Sequence, residues 1–522
     1  MSISSLLNKI DHETIVPKVY SKVVLSNTTK QRLLSYQEKH VIKLINILLE
    51  KNIAADTSDT GIGKTYIGSA VCKELERRPI IICPKTLIFN WINVLEYLGV
   101  KAYDIVNYET IKNGKTYAGK EYKSRKKSRF LEVVEPNPDD PRANIFQWTL
   151  PKDALIIFDE VHRCKDPSTG NGKLLMSSIQ AITEKTPVLI LSATICETFA
   201  DVKIPFYLFG FIPSTRNFNN YILLLKQKYP QHIVKRKDFV KRENYNTARE
   251  NAQAIMIYEE IKEYTSRIRI KDLGDKFPSN QWCCQQFMAE ESDKIAEAYA
   301  EMAEHLEELK NGQNNAGSHH LAKIQKLKQE IEFRKIPIFI EQAQLYLDEG
   351  KSVIIFVNYL DTLNFIVQEL DVRCVIQGSQ DMQQRQEAID LFQSNKERII
   401  VLQMQAGSVG ISLHDIHGDH PRVSLINFPD AASVLIQALG RAARAGAKSP
   451  VLQRIIFVAN VDYEKKIMQN INRKLINVSA INDGDLDGYK YKVKKITRRV
   501  VNNKAKEDPN LDEDQHILKE FL

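Results

Sequence analysis

The sequence predicts an α/β protein: two parallel-sheet lobes in tandem with a helical insertion between them. Two observations carry this. Short apolar runs alternate with amphipathic helix patterns, and this happens twice, as expected of βαβ units whose strands are buried on both faces. Between the two sets lies a stretch rich in Glu, Lys, Gln and Ala with helical periodicity and no comparable apolar runs.

In the first lobe the strand candidates are Ile53–Asp56, Ile80–Cys83, Ala154–Phe158 and Val188–Leu191. From Lys235 to Arg334 the composition turns helical, with long helices expected over Ala289–Lys310 and Leu321–Ile336. The polar segment Asn311–His320 between them, with Gly312 and Gly317, reads as a loop. His319 and His320 are accordingly taken as loop residues rather than ligands. A second α/β set follows, with strands expected at Ser352–Val357, Cys374–Ile376, Ile399–Gln403, Val423–Ile426 and Ile455–Val458. The expected domains are an N-terminal extension over 1–32, a first α/β lobe over 33–213 and a helical insertion and linker over 214–340. The second lobe spans 341–482, and a tail over 483–522 turns basic and then acidic.

Composition excludes several classes. Of the 522 residues 43% are hydrophobic and 26% charged, an ordinary globular balance. No apolar run reaches the roughly 18 residues that span a bilayer, so no membrane partner is expected. The first residues lack a signal-peptide pattern. Seven scattered cysteines without a CxxC pair read as reduced core residues of an intracellular protein. The net charge of +8 leans mildly toward polyanionic partners.

The chemistry begins at Ser58-Asp59-Thr60-Gly61-Ile62-Gly63-Lys64-Thr65, between a strand and a helix. Glycines let the backbone curl so that successive N–H groups face phosphate oxygens, and the helix N-terminus adds partial positive charge. Lys64 is placed to reach the β/γ phosphates and the Thr65 hydroxyl to ligate Mg²⁺. Asp159-Glu160-Val161-His162 follows another strand. There Asp159 suits a metal ligand and Glu160 a base for the attacking water. By itself the same acidic pair also suits the cap of a following helix. Ser192-Ala193-Thr194 stands at a third strand end. In the second lobe, Gly407 and Gly410 allow close backbone approach to phosphates. In Gln437-Ala-Leu-Gly440-Arg441-Ala-Ala-Arg444, the two arginines share a helix face.

These motifs, in this order, resemble those of superfamily 2 helicases, over roughly 33–213 and 351–458. The resemblance implies two RecA-like lobes, ATP and Mg²⁺ as ligands, and hydrolysis in the cleft. Lys64, Asp159, Glu160, Arg441 and Arg444 are the implied catalytic residues. Nucleotide contacts fall to Gln37, which resembles the family's adenine-reading Gln, to Ser58 through Thr65, and to Gly410 and Gln437. Thr65 and Asp159 hold the metal. Ile82–Leu87 with Trp91, and Val106–Thr110, are similar to segments that face nucleic-acid backbone in the family. Details such as Cys83-Pro84-Lys85 resemble the Swi/Snf-like branch, although Ala443 replaces its usual His. The short gap from Asn358 to Gln405 makes the chain similar to compact motors of large DNA viruses. The implied function is an ATP-dependent helicase or translocase acting on nucleic acid, with DNA ahead of RNA. The alternative is an ATP-gated scaffold that binds nucleic acid without separating strands. A monomer suffices for either. Two basic segments, Lys123–Arg129 and Tyr489–Lys506, suit phosphate backbone, or equally a solvated loop and a disordered tail.

Overall fold

The computed structural model describes residues 23–119, 122–134, 145–196, 198–238, 240–310, 317–407, 410–429, 431–486 and 493–495. The first lobe is built on β1 (Ile53–Asp56), β2 (Arg78–Cys83) and β3 (Asp104–Asn107). A hairpin of β4 (Lys115–Ala118) and β5 (Ser124–Lys127) and a pair of β6 (Leu131–Val133) and β7 (Phe146–Trp148) follow. The lobe continues with β8 (Ala154–Asp159), β9 (Val188–Leu191) and the short β10 (Thr265–Ser266). The main sheet is entirely parallel in the order β10-β1-β9-β8-β2-β3, while the two small pairs are antiparallel. Every residue of β1, β8 and β9 is buried, which is why these strands read as unbroken apolar runs.

The second lobe holds β11 (Asn280–Phe287), β12 (Ser352–Val357), β13 (Cys374–Ile376), β14 (Ile399–Gln403), β15 (Arg422–Asn427), β16 (Val451–Val458) and β17 (Val493–Lys495). Its sheet is also wholly parallel, ordered β13-β14-β12-β15-β16-β11-β17. In both lobes the loops at the carboxyl ends of the strands are where an open parallel sheet places its ligands.

The segment expected as a helical insertion differs from that expectation in a specific way. It does contain the helices Arg242–Ile261, Ser292–Lys310 and Gly317–Phe333. It also lends a strand to each sheet: β10 extends the first lobe beside β1, and β11 lies inside the second between β16 and β17. β11 is polar in sequence, with Gln285 and Gln286 buried, so composition conceals it. His319 and His320 belong to the helix Gly317–Phe333 rather than to a loop. Positions 311–316, Ser408, Val409 and most of the basic stretch 489–506 lie outside the described residues. All seven cysteines are buried. No helix among the described residues is long and apolar enough to cross a membrane.

Candidate active site in the interlobe cleft

Gly61 (φ +85°) and Gly63 (φ +93°) take the left-handed backbone that lets the loop after β1 curl back before the helix Lys64–Glu74 begins. Gly63 has a second constraint, because a Cβ there would stand 2.6 Å from Gln37 Nε2. The Gln37 amide braces the loop from below: Nε2 donates to the Ile62 carbonyl at 2.7 Å, while Oε1 accepts from the Leu34 N–H at 2.9 Å. Lys64 Nζ donates to the carbonyls of Ser58 (2.8 Å) and Asp59 (3.0 Å).

The side chains of Ser58 and Asp59 face away from the cavity. Ser58 Oγ accepts from Ile268 N–H at 2.9 Å. The Asp59 carboxylate accepts from Arg267 at 2.6 Å and from Ile270 N–H at 2.9 Å. Whatever these two residues offer to a phosphate is therefore offered by backbone. Beneath the loop, buried Asp56 pairs with His40 at 3.1 Å, and His40 also meets Ser266 Oγ at 2.8 Å. Burial alone would raise the Asp56 carboxyl, but the His40 charge and hydrogen bond with Lys64 and Ser58 hold it below the ordinary range.

Asp159 ends β8, and Glu160 follows in the left-handed region (φ 57°), which turns its side chain back toward the loop. Trp91 is fully buried and its indole N–H donates to Asp159 Oδ2 at 2.9 Å. Tyr108, also fully buried, donates its hydroxyl to the Asp159 carbonyl at 2.8 Å. Both rings therefore lie in the core and hold Asp159, as residues at buried strand edges, rather than turning outward from the segments similar to those that face nucleic acid. No local sequence signal distinguishes such a role from ordinary core packing. Burial, and then the adjacent Glu160 charge, hold the Asp159 carboxyl well above the usual range. Burial also pushes Glu160 upward, but the His162 hydrogen bond and charge, then Lys64 and Arg441, outweigh it and keep Glu160 low. Lys64 is depressed by burial against the pull of Glu160, Asp56 and Asp159.

The second lobe meets this surface directly. The helix Ala432–Ala442 lies on the glycine loop so closely that a Cβ on Gly440 would stand 2.0 Å from Thr60 Oγ1. Thr60 Oγ1 donates to the Ile436 carbonyl at 3.4 Å, and Ala445 N–H donates to the Gly61 carbonyl at 3.3 Å. Gln437 Nε2 sits 3.0 Å from His162 Nε2, and His162 Nδ1 sits 3.3 Å from Glu160 Oε2, a polar chain across the cleft. Gly410 (φ +83°) presses on the first lobe, where its Cβ would meet Thr86 Oγ1 at 3.0 Å. Arg441 is almost wholly buried and donates to the carbonyls of Gln437 (2.9 Å) and Ile411 (3.2 Å). Arg444, half-buried, donates to the Gly440 carbonyl and to Ser412 Oγ at 2.8 Å. Burial depresses both guanidiniums, Arg441 to about 10 and Arg444 to about 9, and Arg444 is further repelled by Arg441.

Gln37, Thr60 through Thr65, Asp159, Glu160, Gly410, Arg441 and Arg444 thus line one cavity of about 690 Å³. Ser58, Asp59 and Gln437 support it from outside. Four cations (Arg32, Lys64, Arg441, Arg444) and two carboxylates line it, so the cavity favours an added anion. The Thr65 hydroxyl and the Asp159 carboxylate supply oxygen donors only, the set a hard divalent cation takes. A divalent cation also suits a carboxylate whose ionisation is opposed by burial and by its neighbour.

A glycine loop in one parallel-sheet lobe, met by arginines from a second, is the arrangement expected of a two-lobed P-loop ATPase. Residues 30–197 match the family described as type III restriction enzyme, res subunit, and residues 323–446 match the helicase conserved C-terminal domain. A protein of Acanthamoeba polyphaga mimivirus, provisionally named an ATP-dependent RNA helicase, is 59% identical over 495 residues, covering 95% of this chain and 92% of that protein. The chain belongs to the superfamily 2 helicases and is an ATP-dependent, ATP-hydrolysing enzyme of that family. Among solved structures it is similar to S. cerevisiae Dbp5 bound to RNA and ADP BeF3, at 12% identity over 95% of this chain and 98% of that one, with a TM-score of 0.45. It is also similar to the Sulfolobus solfataricus SWI2/SNF2 ATPase core in complex with dsDNA, at 18% identity over 90% and 96% of the two chains, with a TM-score of 0.30. The Swi/Snf-like assignment expected from the motifs finds no support in the matched families or in the mimivirus relative.

Proposed function

We propose that this chain is an RNA-stimulated ATPase that uses closure of its two lobes on ATP to move along or remodel RNA. The observation that carries the proposal is the meeting of Arg441 and Arg444 with Lys64, Asp159 and Glu160 around one cavity. The expectation of DNA gives way to RNA because the 59% identical mimivirus protein is named for RNA.

In this mechanism the backbone N–H groups of Thr60 through Thr65 and the Lys64 ammonium bind the β and γ phosphates. Gln37, on the same cavity wall, reads the base. Thr65 and Asp159 would hold Mg²⁺, which when bound neutralises phosphate charge. Glu160 accepts the proton of the attacking water as its oxygen bonds to the γ phosphorus and the bond to the β–γ bridging oxygen breaks. Arg441 and Arg444 stabilise the charge on the transferring group, an effect worth about 10³–10⁵ in rate for arginines supplied across a cleft. Loss of the γ phosphate leaves the buried Arg441 and half-buried Arg444 guanidiniums facing Lys64 without their shared anion, so the lobes part. The exposed strand β5, with Arg125, Lys126 and Lys127, supplies contacts for the RNA backbone.

The test is the ATPase rate without polymer, with single-stranded RNA and with duplex DNA. RNA stimulation is expected. It should vanish in Lys64→Ala, and in Glu160→Gln with ATP binding retained. Stronger stimulation by DNA would overturn the choice of RNA. A rate indifferent to both would overturn the motor.

A further inference from the structure

The helical hairpin between the lobes carries a side-chain cluster that the ATP site does not use. His305 and Glu308 stand one turn apart on the helix Ser292–Lys310, and His320 faces them from the helix Gly317–Phe333. His305 Nδ1 lies 3.1 Å from His320 Nδ1. Glu308 Oε2 lies 3.0 Å from His320 Nδ1 and 3.3 Å from His305 Nδ1. The three atoms form a nearly equilateral triangle.

Protons satisfy such a triangle badly. With one N–H, a single edge is bonded and the remaining nitrogen turns its lone pair toward other lone pairs. With two, both N–H groups converge on one oxygen and stand against each other at 3.1 Å. A cation at the centre accepts all three lone pairs together. Ligands about 2.0–2.1 Å from a tetrahedral metal lie about 3.3 Å from one another, close to the spacing here. The surroundings agree. Glu301 Oε1 is 3.8 Å from the other ring nitrogen of His305, and Lys323 holds Glu301 at 3.0 Å. At that distance the carboxylate is an ion-pair neighbour of the imidazole, and a small shift would bring it into the hydrogen bond that orients a ligating histidine.

We propose that His305, Glu308 and His320 form a binding site for a divalent transition-metal ion of Zn²⁺ type, clamping the two helices of the hairpin, with solvent in the fourth position. Two imidazoles and one carboxylate favour such an ion over Mg²⁺, which prefers oxygen alone. The imidazoles are half-buried and Glu308 is exposed, so the ion reaches the site without unfolding the hairpin.

The experiment titrates the full chain, stripped with a chelator, with Zn²⁺ by calorimetry and with Co²⁺ by visible absorption. His305→Ala, His320→Ala and Glu308→Gln are titrated in parallel. The expected result is one Zn²⁺ per chain and a tetrahedral-type Co²⁺ spectrum in the parent protein, both lost in the histidine variants. Glu301→Gln should bind about 10-fold more weakly. Zn²⁺ should raise the melting temperature of the parent and not of Glu308→Gln, whose exposed position leaves the fold intact and whose basal ATPase stays unchanged. Absence of stoichiometric Zn²⁺ binding, or equal binding by parent and Glu308→Gln, overturns the site.

Discussion

Gly440 shows how tightly a single position constrains this enzyme. A methyl group there would have to occupy the space of Thr60 Oγ1, so Gly440→Ala opposes closure while leaving each lobe's own packing alone. Overpacking of this kind costs about 1–3 kcal/mol, which predicts a rate at saturating RNA roughly 5- to 150-fold lower. ATP binding to the first lobe should change little, and steady-state kinetics with a nucleotide-binding assay separates the two. Trp91 offers a second check. Trp91→Phe keeps an aromatic ring in the core but removes the donor to Asp159 Oδ2, leaving a buried carboxylate oxygen without its partner. A loss of about 1–3 kcal/mol in denaturant-measured stability is expected, together with a weaker Mg²⁺ dependence of the rate. At this scale the residues around the cleft were legible where chemistry dictates spacing. Lys64, Asp159, Glu160, Arg441 and Arg444 were named from motif and context, and they line one cavity. The hydrogen bonds of Trp91 and Tyr108 to Asp159 are not legible, because an aromatic that orients a carboxylate looks, in sequence, like any other buried aromatic near a strand end. The side-chain directions of Ser58 and Asp59 were equally hidden, because they depend on a segment some 210 residues away.

That segment is the element of most consequence outside the motifs. Arg267 donates to the Thr57 carbonyl at 2.8 Å and to Asp59 at 2.6 Å, and it pairs with Asp483 at 3.1 Å. One buried guanidinium therefore ties the nucleotide loop, the strand β10 and the end of the helix Asp462–Asp483 from the second lobe. Removing one partner from a buried ionic cluster typically costs about 3–5 kcal/mol. Arg267→Ala should lower stability by that order in chemical denaturation and lower turnover with it, although Arg267 does not line the ATP cavity. Strands β1, β8, β9, β12 and β14 were legible because burial on both faces demands an apolar run. β11 was not, since Gln281, Gln285 and Gln286 give it the composition of a loop while its neighbours β16 and β17 supply the pairing. β10 is two residues long and has no signal of its own.

At the scale of the whole molecule, two parallel sheets joined through one continuous buried core make a device that works only when closed. Contacts between the lobes at Thr60, Gly61, His162 and Gly410 are small and polar, which suits an interface that must open and close in each cycle. On the proposed reading, the net charge of +8 and the basic β5 would make binding of nucleic acid largely electrostatic. Apparent RNA affinity, read from the RNA dependence of the ATPase, should therefore fall roughly tenfold or more between about 50 and 200 mM salt. The central claim is that ATP is hydrolysed only when the second lobe brings Arg441 and Arg444 to the phosphates held by the first. Single-turnover hydrolysis by Arg444→Ala, measured beside its ATP affinity, tests this most directly. The account predicts a rate lower by about 10³ or more with affinity changed only a few-fold, and hydrolysis near the parent rate would contradict it.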